Sequence, residues 1–248
     1  MTIDLNSDLC EGAGFDQQIL DLVSSANIAC GFHAGTPPSI LQSIIAAQER
    51  GVAIGAHPSF DDRANFGRTE IAIPANDLSS LIAFQLGGFA GLCRAAGTKM
   101  THVKPHGALY NISARDAGMA EVVCSAIRAF DPKLFVFAPP ASQFEIAAQT
   151  LKLAVVREFF ADRNYNADGS LVSRARPDAL LHDPLEAAER VIRMLRQGMV
   201  RTIAGSDFAI SAETICVHGD TPGAVEFVRK LRASLEQEGI TIAPPHHQ

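Results

Sequence analysis

The sequence predicts an α/β fold, a single-domain distorted β/α barrel of about seven strands, and three observations carry that prediction. Short apolar runs alternate along the chain with longer segments whose apolar residues recur at three- and four-residue spacing. Some seven or eight such units in 248 residues match the size of one barrel. Polar residues, histidines above all, gather just past the ends of the apolar runs, where parallel α/β folds build their sites.

In order, the first run is 2–7 (TIDLNS), followed by Asn6, Asp8 and Glu11 and a helical segment near 15–25. The second, 27–32 (NIACGF), leads into GFHAG with His33 and a helix over 37–50. The third, 52–56 (VAIGA), leads into GAHP with His57, then Asp61, Asp62, Arg63 and Arg68, and a helix over 75–96. The fourth, 99–105 (KMTHVKP), ends on Lys104 and His106 around Pro105; proline and glycine there end a regular element, and a helix is expected over 114–129. The fifth, 133–138 (KLFVFA), precedes a helix near 141–151. The sixth, 154–159 (AVVREF), runs into FADRNY with Asp162, Arg163 and Tyr165. Residues 160–183 carry no clear element, and long irregular insertions are often lids. A helix over 184–197 follows from Leu185, Ala188, Val191, Ile192 and Leu195. Runs at 200–204 (VRTIA) and 213–218 (ETICVH), the latter followed by His218 and Asp220, and a helix over 222–238 complete the pattern. Neither a linker nor a repeat interrupts it, so residues 1–248 are read as one domain, with 244–248 as a frayed tail.

The bulk numbers narrow the function. With 47% hydrophobic and 19% charged residues the chain is globular. A formal charge of −6, no Trp and two Tyr argue against nucleic-acid or anionic-membrane partners, while leaving room for a small anionic substrate. Five scattered cysteines without a C-x-x-C fit reduced thiols. With no basic-then-apolar N-terminal segment and no apolar run read as a membrane span, the expected location is the cytoplasm.

Side chains two apart on a strand share a face, so His102, Lys104 and His106 point one way, as do Cys216, His218 and Asp220, and Asp4, Asn6 and Asp8. In a barrel that way is inward and up to the mouth. A single such histidine is ordinarily a satisfied structural one, but His33, His57, His106 and His218 fall at the same point of four units. A lysine in an apolar strand is paired or faces a wet cavity. Asp8 and Asp220 are also good helix caps, and Arg63 and Arg68 ordinary loop charges. Three chemistries compete: a metal site, for which Asp8, His33, His57 and His106 are candidates without any tight ligand spacing; metal-free acid–base hydrolysis; and phosphoryl chemistry through Lys104, Arg63 and Arg68. No phosphate-binding glycine motif is present, so a nucleotide would be held without one, or by another chain.

The segments DLNSDLCEG (4–12), NIACGFHAGTP (27–37), GVAIGAHPSFDD (51–62), FGR (66–68), HVKPHGALYN (102–111), FADRNY (160–165), LVSR (171–174) and TICVHGD (214–220) resemble the LamB/YcsF family, the A component of 5-oxoprolinase, in order and from residue 2 to about 240. The resemblance implies a barrel similar to those of carbohydrate deacetylases and glycosidases. It further implies ATP-dependent opening of the lactam of 5-oxoproline to glutamate with two further subunits, B and C; a homo-oligomer is compatible with it. Catalytic roles are expected for Asp8, Glu11, His57, Lys104, His106, His218 and Asp220, and substrate or phosphate binding for Asn6, His33, Asp62, Arg68 and Arg163 or Arg174. The alternative is a metal-dependent deacetylase or amidohydrolase on a sugar-like or cyclic amide. Cys10, Thr36 and Thr69 stand where the family has glycine, aspartate and arginine, and the two threonines are expected to remove charge near the mouth.

Overall fold

The computed structural model describes residues 1–219 and 223–246. The elements are β1 (Thr2–Leu9), α1 (Asp16–Leu20), β2 (Ser25–Ala29), α2 (Pro37–Glu49), β3 (Ala53–His57), a 3₁₀ turn at Arg63–Asn65, α3 (Ala75–Ala95), β4 (His102–Val103), α4 (Gly107–Arg115), α5 (Ala117–Phe130), β5 (Phe135–Ala138), α6 (Gln143–Thr150), β6 (Ala154–Phe160), α7 (Pro184–Gln197), β7 (Met199–Arg201), β8 (Asp207–Ala209), β9 (Thr214–Cys216), α8 (Ala224–Gln237) and β10 (Thr241–Ile242). Seven parallel strands close a barrel in the order β1-β2-β3-β4-β5-β6-β9, with β9 returning to β1 at Asp4↔Thr214. The short β10 extends the sheet beside the start of β1.

The outer faces of the strands supply the apolar layer: Leu5, Ile28, Ile54, Val103, Val136, Phe159 and Ile215 are buried against the helices. The inner faces are polar on one side of the barrel and apolar on the other, where Phe135, Phe137 and Val156 form their own cluster. The barrel therefore needs a hydrogen-bond partner for every polar group it encloses. α3 has the length and, over its most apolar window, the mean hydropathy (1.2) of a membrane span. Here it is an outer-ring helix whose Leu78, Ile82, Leu86, Phe89 and Cys93 enter the core.

Four expectations are corrected. The run 200–204 is not a barrel strand. Only Val200 of β7 is fully buried, and the chain turns at Gly205 (φ 78°) so that β7 pairs antiparallel with β8 outside the barrel. The helix expected over 114–129 is α5 and starts at Ala117, because Asp116 caps it through its carboxylate (Met119 N to Oδ1, 2.7 Å), while residues 114 and 115 end a separate helix, α4. Pro105 and Gly107 do end the strand, but α4 starts at once, with His106 as its N-cap residue. Leu185 lies on the outside of α7, where Ala187, Ala188, Val191 and Met194 form the buried stripe. Residues 160–183 are an irregular excursion held by isolated bridges Arg163↔Leu180 and Tyr165↔Leu171. Of the expected tail, 247 and 248 lie outside the described residues.

Candidate active site

The inward residues stack in layers. Deepest is Asp4, 2% exposed, whose carboxylate accepts from Ser24 Oγ (2.6 Å), Ser25 Oγ (2.7 Å) and the Thr214 hydroxyl. Burial nevertheless outweighs these bonds and pushes its carboxyl up to about 6. Above it Asn6 donates to Thr214 Oγ1 (2.7 Å) and Glu158 Oε1 (3.1 Å), and Asn27 donates to Asn6 Oδ1 (2.7 Å) and Asp8 Oδ1 (2.9 Å). His102 Nε2 lies 2.9 Å from Asn27 Oδ1, its ring stacked on Phe137. That ring fits only because residue 55 of the neighbouring strand is glycine.

Next comes Lys104, 2% exposed, with Nζ 2.9 Å from both Asp8 Oδ1 and Glu158 Oε1 and 3.1 Å from Cys216 Sγ. Burial disfavours the ammonium, but these anions hold its pKa well above the usual lysine value. Burial likewise opposes ionisation of Asp8, yet His57 and Lys104 hold its carboxyl well below the ordinary range. Glu158 also accepts from the Tyr110 hydroxyl (2.7 Å). Lys104 is thus engaged inside the barrel by two carboxylates and, after His57, favours the ionised form of Asp8.

At the rim, Glu11 Oε1 is 3.0 Å from His33 Nε2, 3.2 Å from His106 Nδ1 and 3.6 Å from His57 Nε2. His57 Nε2 is 2.9 Å from His106 Nδ1 and 3.4 Å from Asp8 Oδ2. The far nitrogens are tied down: His57 Nδ1 to Lys104 O (2.6 Å), His106 Nε2 to Phe66 O (2.9 Å) and His33 Nδ1 to Ser59 Oγ (2.9 Å). Phe66 takes a left-handed conformation (φ 56°) that turns its carbonyl onto His106, and Gly67 lets the loop pass close over His33 and His106. Burial pushes His33 down to about 4 and lowers His106, whereas Asp8 and Glu11 raise His57 against its burial.

Across the mouth, His218 Nδ1 is 2.6 Å from Asp162 Oδ2, and the Arg174 guanidinium donates to His218 Nε2 (2.8 Å). His218 holds the carboxyl of Asp162 below its ordinary range although burial opposes it. Asp162, Arg174 and His218 also line a cavity of about 300 Å³ between the excursion and α8.

The structure thus brings together Asn6, Asp8, Glu11, His33, His57, Lys104, His106 and His218. It does not bring in Asp62, which braces its own turn by accepting from Asn65 Nδ2 (2.7 Å) and Thr69 N (3.0 Å). Arg163 is 7% exposed and donates to Val172 O (2.6 Å), so it fastens the excursion, leaving Arg174 as that segment's arginine at the mouth. Arg68 is exposed, with its guanidinium carbon 4.9 Å over the Phe66 ring. Asp220 lies outside the described residues. Sequence reading missed Glu158, Asn27 and Tyr110. For Glu158 a signal existed, a lone carboxylate in the apolar strand AVVREFF, two residues from the inward-facing Phe160. Thr36 is the exposed N-cap of α2 in a reciprocal cap with Ser39, a job aspartate does equally well; it is not a charge removed from the site. Cys10 sits at φ 64°, which explains why glycine suits that position.

A family model described as the LamB/YcsF family matches residues 3–248. The chain is 41% identical to a lactam utilization protein from Thermus thermophilus, over 98% of this chain and 99% of that one, with a TM-score of 0.92. At 9% identity it is similar to a family 4 carbohydrate esterase from Streptomyces lividans (97% of this chain, 91% of that chain, TM-score 0.48). At the same identity it is similar to a truncated 3-deoxy-D-arabino-heptulosonate 7-phosphate synthase from Thermotoga maritima (97% and 89%, TM-score 0.44). Neither of these two bears on chemistry. The motifs that resembled one family in the sequence meet on one barrel rim, and the chain belongs to the LamB/YcsF family.

Proposed function

We propose that this protein is the lactam-opening subunit of an ATP-dependent 5-oxoprolinase, working with partner subunits B and C to convert 5-oxoproline to L-glutamate. The observation that carries this reading is the full-length likeness to a lactam utilization protein, joined to an ionised Asp8 beside a histidine-rich rim.

A lactam carbonyl is a poor electrophile, and ATP supplies the drive. The γ-phosphoryl group passes from ATP to the lactam oxygen, releasing ADP. Water adds to the carbon, the ring C–N bond breaks to leave the free amine and an acyl phosphate, and a second water releases phosphate and the carboxylate. Asp8, kept ionised by His57 and Lys104, takes the proton from the attacking water. His218, backed by Asp162 and with Nε2 freed as Arg174 turns to the substrate, passes the proton that Asp8 took from the water on to the ring nitrogen as it leaves. Arg174 pairs with the substrate carboxylate, drawn from His218 Nε2 as substrate enters. ATP sits at the boundary with the partner subunits, as suits a chain without a phosphate-binding glycine motif.

The test is glutamate release from 5-oxoproline by the complex of this chain with its B and C subunits, with and without ATP, for the parent and for Asp8→Asn. ATP-dependent glutamate that disappears in the variant is expected. An assembled complex that releases no glutamate removes 5-oxoproline as substrate.

A further inference from the structure

We infer that Glu11, His57 and His106 form a binding site for one zinc-like divalent cation, with His33 orienting Glu11 from outside. The inference adds an ion to the proposed active site, and it stands or falls independently of which lactam is opened there.

The argument starts from protons. His57 Nδ1 lies against the Lys104 carbonyl and His106 Nε2 against the Phe66 carbonyl. A carbonyl only accepts, so each of these nitrogens carries the ring's proton. In neutral rings the other nitrogens, His57 Nε2 and His106 Nδ1, then present bare lone pairs, and these two atoms face each other at 2.9 Å. A carboxylate oxygen, Glu11 Oε1, completes the triangle at 3.2 and 3.6 Å. Three acceptors turned on one point repel unless a proton or a metal cation lies among them. Anchoring of each far nitrogen to a carbonyl is the arrangement that fixes metal-binding imidazoles.

The dimensions fit. Metal–ligand bonds of about 2.0–2.2 Å at tetrahedral angles separate neighbouring donor atoms by roughly 3.3–3.6 Å. The three edges here are 2.9, 3.2 and 3.6 Å. Ring orientation selects the ligands. The His57 and His106 rings stand at 83° with their facing nitrogens 2.9 Å apart, so their planes cross and one point can lie in both. His33 and His106 are stacked parallel, 3.8 Å apart at 2°, so they do not both aim in-plane at one ion. His33 instead bonds Glu11 Oε1 from the side, held by Ser59. Two imidazoles and a carboxylate suit zinc with a fourth position left for water or substrate. Asp8 Oδ2, 3.4 Å from His57 Nε2, is placed to receive a proton from such a water.

The test uses the full chain, stripped by chelator and dialysed against zinc, with elemental analysis for stoichiometry, competition titration for affinity and cobalt(II) absorption for geometry. The parent is expected to hold one zinc per chain and to give the visible bands of a tetrahedral cobalt site. Glu11→Gln keeps the shape and the His33 contact, and should weaken zinc by more than about 100-fold, beyond the roughly 10–100-fold of an outer-shell change. His106→Ala should do the same, and His246→Ala, an exposed histidine near the C-terminus, should not. Circular dichroism identifies any variant that fails to fold, and Glu11→Gln then decides. A parent that retains no zinc, or a folded Glu11→Gln that binds it as tightly as the parent, overturns the inference and leaves a shared proton between His57 and His106. Glutamate release by a parent that retains no zinc on dialysis would end the ion while keeping the lactam reaction, and zinc binding without glutamate release would do the reverse.

Discussion

Replacing Lys104 with methionine keeps the length of the side chain and deletes the charge that Asp8 and Glu158 share. The ammonium lies 2.9 Å from an oxygen of each, and the Glu158 side chain is fully enclosed. Removing one partner of a buried ion pair costs about 3–5 kcal/mol, because the anions left behind have lost their solvation without compensation. For a chain of this length each kcal/mol moves Tm by about 2–4 °C, so Lys104→Met should melt roughly 6–20 °C below the parent. The double variant Lys104→Met/Glu158→Gln discriminates between lost charge pairing and lost packing. It removes one of the two stranded carboxylates while an amide oxygen still accepts from Tyr110. The double should therefore be more stable than the sum of the two single losses predicts, by about 1–3 kcal/mol. The assay is a double-mutant cycle by chemical denaturation at pH 7, with Tm from circular dichroism as a check. Losses that add to within about 0.5 kcal/mol, or a Lys104→Met protein melting within about 2 °C of the parent, would refute the picture of a lysine clamped between two carboxylates.

Two further outcomes test the layers beneath. Asp4 has a carboxyl pushed from 3.8 up to about 6, so the folded state holds its proton more tightly than the unfolded chain. Its stabilisation is fully present below pH 3.8 and is lost as pH rises through 6, a change on the order of 3 kcal/mol. Since Asp4→Asn does not titrate, the stability of the parent minus that of the variant should fall by most of that amount, about 2–2.5 kcal/mol, between pH 4 and pH 7; a difference curve flat over this range would sink the argument. Gly55→Ala would put a methyl carbon 2.1 Å from His102 Nε2, in a ring already held by Phe137 and Asn27. Overpacking of this kind costs about 1–3 kcal/mol, and more where the neighbours have no room. A drop in Tm of at least about 6 °C is expected, recovered in part by Gly55→Ala/His102→Ala, and an unchanged Tm would show that the ring can move aside.

The sequence by itself determined the barrel and the inward faces. Period-two placement sends Asp4, Asn6 and Asp8, His102, Lys104 and His106, and Cys216 and His218 into the interior, and the strand register seats them there in layers. It also marked the rim, because histidines beside glycine or proline recur where strands end. Only the tertiary structure decided what those residues do to one another. Lys104 read as either paired or facing a wet cavity where it could hold phosphate, until Glu158, 54 positions on in the sequence, closed on it with Asp8. His33 and His106 read alike as metal candidates at strand ends until the rings proved to be stacked parallel, with His57 across them. Asp62 and Arg163 read as site residues, and Thr36 as a charge lost near the mouth, whereas they hold a turn, an excursion and a helix end. The reason is physical. Which way a side chain faces is a local property, set by the backbone period within a strand. The partner it meets, and hence its charge and its proton, depends on strands brought together by closure of the barrel, and no spacing along the chain records those distances.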